Sequence, residues 1–170
     1  MNPRTTSKCL TATGLPLLGA CLLLAPSVAY AEDPHAAGNF GIGVVAGYPD
    51  IGLSLNYFMT DTSSLQINPV VAIGDDAGFG GRVDVLLWPS TIASGDAVDV
   101  DWFIGPGANF YAGEWGFGLG AELPVGIGLA LKAVSIDLNV EAVPVLHLID
   151  DDGVNPGFGI GGALNARYYF

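Results

Sequence analysis

The side chains in this sequence that could do chemistry are a few charged and amide groups within apolar stretches, two residues apart at 82 and 84 and at 137, 139 and 141 and single at 122 and 167. These candidate residues are Arg82, Asp84, Glu122, Asp137, Asn139, Glu141 and Arg167. Residues two apart share one face of a β-strand, and charges taken out of water must be paired or they destabilise the fold. We therefore expect a polar network inside the protein, in which Arg82 and Arg167 neutralise the four carboxylates.

Signals for catalysis or metal binding are weak. His147 falls on the same face as the polar network, but a hydrolase would need a serine and an acid positioned beside it. No serine after residue 31 lies near it in the expected register. The run DDDG at residues 150–153 lacks the alternating ligands of a calcium loop, so we interpret it as a solvated loop. His35 is expected in a flexible tail. The sequence predicts no enzyme, no cofactor and no metal site.

Composition limits what can surround the protein. Of 170 residues, 51% are hydrophobic and only 13% are charged, with 17 acidic residues against 5 Lys and Arg. Well-behaved soluble surfaces carry roughly 25–35% charged residues, so much of this exterior is expected to meet something other than water. Nucleic acid is excluded as a partner because binding phosphates needs clustered basic residues.

The N-terminal 31 residues have the anatomy of a secretory signal peptide. The basic stretch MNPRTTSK precedes the apolar run LPLLGACLLLAPSV, and AYA supplies small residues at Ala29 and Ala31 for cleavage. Two alternatives stay open: an uncleaved anchor, and a lipoprotein whose first residue would be Cys21. Because Cys9 and Cys21 both lie in the leader, the mature chain is expected to lack disulfides and thiol chemistry.

Residues 32–37 are then expected to form a short periplasmic tail, followed by a barrel over residues 38–170. Apolar and small or polar residues alternate there with a period of two, which predicts strands. The eight expected strands are NFGIGVVAGY, IGLSLNYFM, SLQINPVVAIG, FGGRVDVLLW, VDVDWFIGPGANFY, WGFGLGAELPVGIGLAL, VSIDLNVEAVPVLHL and GFGIGGALNARYYF. The glycine-rich polar face fits a narrow interior and the apolar face fits hydrocarbon. The fold class predicted is all-β, an eight-stranded antiparallel up-and-down transmembrane β-barrel.

Several details follow from this pattern. Pro69 and Pro144 stand inside expected strands and suggest bulges or strand ends, because proline cannot donate a ladder hydrogen bond. The last hairpin is expected to set Arg167 near Asn139, with Asp137 and Glu141 as diagonal neighbours. The aromatic residues expected to form the interfacial girdles are Phe40, Tyr48, Tyr57, Phe79, Trp88, Trp102, Phe110, Trp115 and Tyr168.

The chain ends on an apolar strand with aromatics at Tyr168 and Phe170. This ending resembles the C-terminal signature by which the outer-membrane assembly machinery recognises its barrels. The mature chain as a whole resembles the small eight-stranded outer-membrane barrels, the class of the outer-membrane protein A transmembrane domain and outer-membrane protein X. More narrowly, FGIGVVAGYPDIGLSLNYFM and GIGGALNARYYF are similar to an uncharacterised family of predicted outer-membrane barrels that ends in R-Y-Y-F.

The resemblance implies a location in the bacterial outer membrane, contact with its lipid, and recognition by the barrel-assembly machinery through the C-terminal strand. An even strand number would put both termini in the periplasm. The family brings no assigned activity, and we expect a monomer with a structural or interaction role in the cell envelope. The alternative is a narrow ion or solute channel, since carboxylates outnumber the two arginines; a lipid-modifying enzyme is a weaker third. Whether the acidic loops bind divalent cations stays open.

Overall fold

A computed structural model describes residues 33–47, 50–72, 78–114, 116–150 and 153–170. The expected signal peptide, its cleavage site at Ala29 and Ala31, Cys21, and the girdle residues Tyr48 and Trp115 lie outside these described residues. Within them, no helix has the length and apolar character needed to cross a membrane.

The described chain is almost entirely strand. The strands are β1 (Phe40–Gly47), β2 (Asp50–Thr60), β3 (Ser63–Ala72), β4 (Gly78–Ser94), β5 (Val98–Ile104), β6 (Gly107–Gly113), β7 (Gly116–Glu122), β8 (Val125–Leu131), β9 (Ile136–Asp150) and β10 (Gly153–Tyr169). Each pairs antiparallel with its neighbours in one sheet, and β10 returns to pair with β1, where Ile42 lies opposite Tyr168. The sheet formed by the described strands therefore closes into a ring.

The ten strands occupy eight positions in the ring, because two of these positions are interrupted and each holds two short strands. β5 and β6 both pair with β4, and β7 and β8 both pair with β9. Pro106 and Pro124 stand at the two interruptions, where the missing N–H breaks the ladder. The predicted fold class, an eight-stranded antiparallel up-and-down β-barrel, is confirmed.

Pro69 and Pro144 do not mark bulges or strand ends, so that expectation is wrong. Both lie inside strands whose register with the next strand runs through them, Pro69 opposite Gly81 and Pro144 opposite Ile160. Around Pro69 the ladder to β2 omits pairs but resumes in the same register. A missing donor removes a bond without adding a residue, so the strand is not displaced.

The hairpin of β9 and β10 also differs from expectation. Arg167 lies opposite Asp137, and Asn165 lies opposite Asn139. The expected register was two residues away because the whole of DDDGVNP was assigned to the loop, whereas β9 runs to Asp150 and β10 begins at Gly153. The correct register brings Arg167 and Asp137 directly across from each other.

The two faces of the sheet have opposite character, as the alternation predicts. On β1 the outward Val44 is 56% exposed, whereas the inward Val45 is 3% exposed. On β3 the outward Ile67 is exposed while the inward Gln66 and Asn68 are fully buried. The interior is thus largely polar and the exterior is apolar, the reverse of a soluble barrel.

One end of the barrel, where residues 33–39 and Phe170 lie, is here named the terminal end; the opposite end is the far end. Four aromatic side chains and one leucine fill the terminal end and are named the aromatic cluster: Phe58, Leu86, Trp88, Phe103 and Tyr169. The assignment of Trp88 to an outer girdle is wrong, since this side chain is only 5% exposed inside the barrel. Its position follows from parity, because it continues the inward series Asp84 and Leu86.

Inward glycines make room for these rings. A Cβ built on Gly41 would lie 2.7 Å from the ring of Tyr169, and one built on Gly126 would lie 2.4 Å from the ring of Phe103. Each ring lies against its cross-strand glycine partner. The glycine-rich inward face therefore sets where large side chains fit in a narrow barrel.

Candidate functional site

The first group of interior charges centres on Arg82 and is named the Arg82 cluster: Arg82, Asp84, Glu122 and Glu141. Arg82 Nε lies 3.1 Å from Asp84 Oδ2 and 3.0 Å from Glu122 Oε1, and Arg82 Nη2 lies 2.8 Å from Glu141 Oε1. These side chains come from β4, β7 and β9, so the cluster links separate walls of the barrel. One guanidinium faces three carboxylates, which leaves the cluster with an excess of acidic groups.

Amide side chains complete the Arg82 cluster. Asn109 Nδ2 donates to Glu122 Oε2 at 2.6 Å, and Gln66 Nε2 donates to Asp84 Oδ2 at 3.1 Å. The amides supply donors that the single guanidinium cannot. Buried carboxylates need such donors because an unpaired charge away from water costs several kcal/mol.

The second group centres on Arg167 and is named the Arg167 cluster: Ser54, Gln66, Asp137, Asn139 and Arg167. Arg167 Nη1 lies 3.7 Å from Asp137 Oδ2, and Arg167 Nε donates to Ser54 Oγ at 2.7 Å. Arg167 Nη2 donates to Gln66 Oε1, and Asn139 Nδ2 donates to Asp137 Oδ2 at 3.1 Å. Arg167 is 1% exposed, so this guanidinium is enclosed by protein.

The structure brings all seven sequence-predicted residues into the interior and divides them between these two clusters. Two uncharged side chains connect the clusters. Gln66 contacts both Asp84 and Arg167, and Asn165 Nδ2 donates to Glu141 Oε1 at 3.2 Å. Sequence reasoning left these linking amides out of the network. The alternation that placed the charged residues inward places Gln66 and Asn165 inward too, so the same signal could have found them.

A third group closes the terminal end around His35. The ring of His35 lies 4.8 Å from the ring of Phe58 and 4.5 Å from that of Trp88, measured between centroids. His35 Nδ1 lies 3.1 Å from Asp101 Oδ2, and Nε2 lies 3.3 Å from Asp137 Oδ2. The expectation that His35 belongs to a flexible tail is wrong, because the residue is 7% exposed inside the barrel mouth.

His35 lies outside the strands, and its surroundings alter its acidity. Burial lowers the pKa of this imidazole, but hydrogen bonds to Asp101 and Asp137, together with the charges of these carboxylates, raise the pKa to about 9. The side chain is therefore a cation at neutral pH. Tyr169 supports the same site, because its hydroxyl donates to Asp137 Oδ2 at 3.1 Å and accepts from Asn56 Nδ2 at 2.9 Å.

The far end holds an open cavity of about 230 Å³. Its lining includes Val45, Arg82, Asn109, Tyr111, Glu122, Val145 and His147. The walls are mainly apolar, and Arg82 and Glu122 lie at the inner limit of the cavity. Among the described residues, no serine or cysteine lines this cavity beside His147, and no group of three His, Cys, Asp or Glu is arranged to hold a metal.

Comparison with solved structures finds a similar barrel in the N-terminal β-barrel domain of Pseudomonas aeruginosa OprF. The TM-score is 0.56 at 11% sequence identity, and the match covers 79% of this chain and 98% of that chain. Neither the comparison with protein-family models nor that with curated proteins finds a match. A likeness at this identity shows the fold: the chain forms an up-and-down β-barrel like that domain.

Proposed function

We propose that this protein is an integral β-barrel of the bacterial outer membrane, with a structural or interaction role in the cell envelope and no catalytic activity. The observation that carries the proposal is the inverted arrangement of the barrel, with polar hydrogen-bonded side chains inside and large apolar side chains outside. A closed antiparallel ring satisfies its own backbone groups, which is the requirement for strands that cross a bilayer.

The outward face supports the membrane location. Its exposed apolar side chains extend around the ring: Val44, Leu53, Val71, Phe79, Val83, Val140, Ile160 and Leu164 are among them. Both arginines of the described strands point inward. A continuous apolar belt of this kind fits hydrocarbon, whereas soluble proteins rarely expose apolar patches of more than a few hundred Å².

The filled interior supports a structural role over conduction. The Arg82 cluster, the Arg167 cluster and the aromatic cluster succeed one another from the far end to the terminal end. An eight-stranded barrel is only wide enough for side chains to fill. In planar bilayers, we expect the wild-type protein to give no steady conductance.

A narrow channel is the second candidate, and one observation favours it. Among the described residues, polar side chains continue inward from Arg82 through Gln66 to Arg167, and the first large apolar rings beyond them are Phe58 and Trp88. Stable single-channel steps from wild-type protein would favour this candidate over the structural role.

The membrane location is tested by expressing the full precursor in a Gram-negative host and fractionating the envelope. We expect the protein in the outer-membrane fraction, with a folded band that changes mobility on boiling. Sequencing the N-terminus tests the proposed cleavage after Ala31. Recovery of a folded protein in the soluble periplasmic fraction would contradict the membrane location.

The C-terminal strand is proposed to direct assembly. Tyr168 and Phe170 point outward and their rings pack edge to face at 5.0 Å. A variant with both aromatics replaced by alanine is expected to reach the periplasm but accumulate unfolded there. Replacement of the outward Val134, which lies in a turn, by alanine serves as the control and should assemble normally.

Both termini are proposed to face the periplasm. Single cysteines at Val134 and at Val154 would report this, since the residues lie at opposite ends of the barrel and both are exposed. An impermeant thiol reagent on intact cells should label the Val154→Cys variant and spare Val134→Cys. The reverse pattern would mean that the termini face outward.

A further inference from the structure

We propose that the terminal end contains a binding site for a planar organic cation, and that His35 occupies this site as a ligand tethered to the barrel by residues 33–39. The site, named the cation cage, consists of Phe58, Trp88, Asp101, Asp137 and Tyr169. All five cage residues belong to barrel strands, and the occupant belongs to the segment that precedes β1.

The first feature of the cage that recognises a flat cation is its aromatic wall. Phe58 and Trp88 pack against the ring of His35 with centroid distances of 4.8 and 4.5 Å, and Tyr169 presents its edge at 6.4 Å. Aromatic faces attract cations through their quadrupole. The plane of Phe58 is inclined by 26° to the imidazole plane, so these two rings stack, whereas the plane of Trp88 is tilted by 46°.

Two carboxylates fix the orientation of the ring. Asp101 on β5 contacts Nδ1 and Asp137 on β9 contacts Nε2, so both ring nitrogens must carry protons to donate to both partners. Only the imidazolium can satisfy the two acceptors together. The carboxylates thus select a planar group with two N–H donors that point in different directions.

Besides the two carboxylates, the charged and titratable groups near the ring include Asp33, Arg167 and the cage residue Tyr169, and Asp61 and Asp99 line the pocket beside it. Asp33 lies on the same segment and accepts from the His35 backbone N–H at 3.0 Å. Arg167 approaches Asp137 at 3.7 Å and Tyr169 donates to the same carboxylate. Asp137 therefore interacts with Arg167 as well as with His35. Asp101 depends more on the occupant of the cage for a neutralising positive charge.

The segment that carries His35 is attached to the barrel by a few bonds. The N–H of Gly38 donates to the carbonyl of Phe58 at 2.8 Å, and the N–H of Ala37 donates to Asp61 Oδ1 at 2.8 Å. Gly38 has a φ of +93°, which favours glycine at this turn. These contacts place the segment across the mouth, so an occupied cage closes the terminal end.

An open space beside the cage gives it access to solvent. A polar pocket of about 400 Å³ is lined by His35, Trp88, Asp99 and Asp101, among others. Small cations can therefore approach the carboxylate side of the cage without unfolding the barrel. If His35 leaves, the walls that remain have the shape and charge to take a free imidazolium in its place.

Chemical rescue tests this proposal on the full folded barrel in detergent. The His35→Ala variant should unfold at a lower temperature than wild type in neutral buffer. Millimolar imidazole should raise the unfolding temperature of the variant by a few degrees in a concentration-dependent manner, because a ligand that binds only the folded state stabilises it by mass action. Pyrazole, a ring of the same size that stays neutral, should have little effect, and wild type should respond to neither compound.

Equal responses of wild type and variant to imidazole, equal rescue by pyrazole, or an unchanged unfolding temperature in His35→Ala would each overturn the proposal. If the alanine variant does not fold, nitrogen NMR of His35 in wild type and Asp101→Asn takes its place. We expect two protonated ring nitrogens in wild type at neutral pH and loss of the Nδ1 signal in the variant. Asp99→Asn is the matched control, because Asp99 pairs with Lys132 at 2.9 Å instead; equal spectra for all three proteins would contradict the cage. These readouts do not depend on where the barrel resides.

Discussion

The two ends of the barrel use the same strand alternation and fill the interior in different ways. Toward the terminal end, aromatic rings pack over glycines and each polar group of Arg167 and Asp137 is enclosed. Toward the far end, the Arg82 cluster borders a cavity and three carboxylates share one guanidinium. We expect from this difference that the terminal half carries most of the stability that the interior provides, whereas the far half leaves room for water or a small ligand.

Among substitutions at the two ends of the barrel, removal of Arg167 should cause the largest loss of stability. Arg167→Ala leaves Asp137 without its guanidinium and deprives Ser54 and Gln66 of their shared donor. Removing one partner of a buried ion pair typically lowers the free energy of unfolding by about 3–5 kcal/mol. We expect a loss of that order in the free energy of unfolding, measured in urea by tryptophan fluorescence. Arg82→Ala is the matched variant at the far end, and it should lose less because its side chain borders the cavity.

If Arg82→Ala proved as destabilising as Arg167→Ala, the stability of the interior would be divided evenly between the two halves. The terminal half would then not carry most of that stability. A loss confined to Arg82→Ala would assign most of it to the far half.

Neutralising Asp137 should have the next largest effect. Asp137 Oδ2 lies close to four partners: His35, Asn139, Arg167 and Tyr169. Asp137→Asn keeps the shape but weakens the charge-assisted bonds to His35 and Arg167, each worth about 1.5–3 kcal/mol. A loss of about 2–4 kcal/mol in the same urea assay is expected, since the new amide can still accept one of these bonds. A variant as stable as wild type would show that Asp137 does not organise the terminal end.

The pH dependence of stability should come largely from His35. Its pKa in the folded protein, about 9, lies above the ordinary 6.5. A raised pKa means that the stabilising contribution is complete below pH 6.5 and is lost as the pH rises through 9. We expect the unfolding free energy of wild type to fall by about 1–3 kcal/mol over that window, and His35→Gln to remove most of the slope. An equal slope in both proteins would assign the effect to other groups.

The sequence predicts the strands and the faces of the barrel well, but it predicts the pairing of the interior side chains only in part. The alternation fixes the strand positions and the inward face of Arg82, Asp84 and Arg167, because a period of two admits one assignment of faces. It also assigns Trp88 to the interior once parity is applied strictly. The pairing of Arg167 with Asp137 depends on where the last hairpin turns, and a turn segment of small and acidic residues does not determine this by itself.

His35 could not be placed from the sequence. It stands outside the periodic region, and nothing local in DPHAAGN predicts that the side chain enters the barrel. The reason for its position is tertiary: Phe58, Trp88, Asp101 and Asp137 come from four separate strands and converge only when the ring closes. A polar side chain that follows no period is therefore the kind of residue whose role a structure must supply.

At the far end, the crowded carboxylates of the Arg82 cluster allow a substitution with a smaller effect on stability. The carboxyl groups of Asp84 and Glu122 are crowded together, because Arg82 Nε lies 3.1 Å from Asp84 Oδ2 and 3.0 Å from Glu122 Oε1. Asp84 Oδ1 accepts no hydrogen bond from the described residues. Glu122→Gln would replace one of the crowded carboxylates by an amide that can donate to Asp84 and still accept from Asn109. The same NH2 would face Arg82 Nε, which lies 3.0 Å from Glu122 Oε1, so the gain is offset by a lost ion pair. We expect a change within about 1 kcal/mol, of either sign, in the free energy of unfolding. Glu122→Gln and Asp137→Asn make the same chemical change, from carboxylate to amide, at the two ends of the barrel. A loss at Glu122 equal to that at Asp137 would therefore mean that the Arg82 cluster is as tightly constrained as the Arg167 cluster.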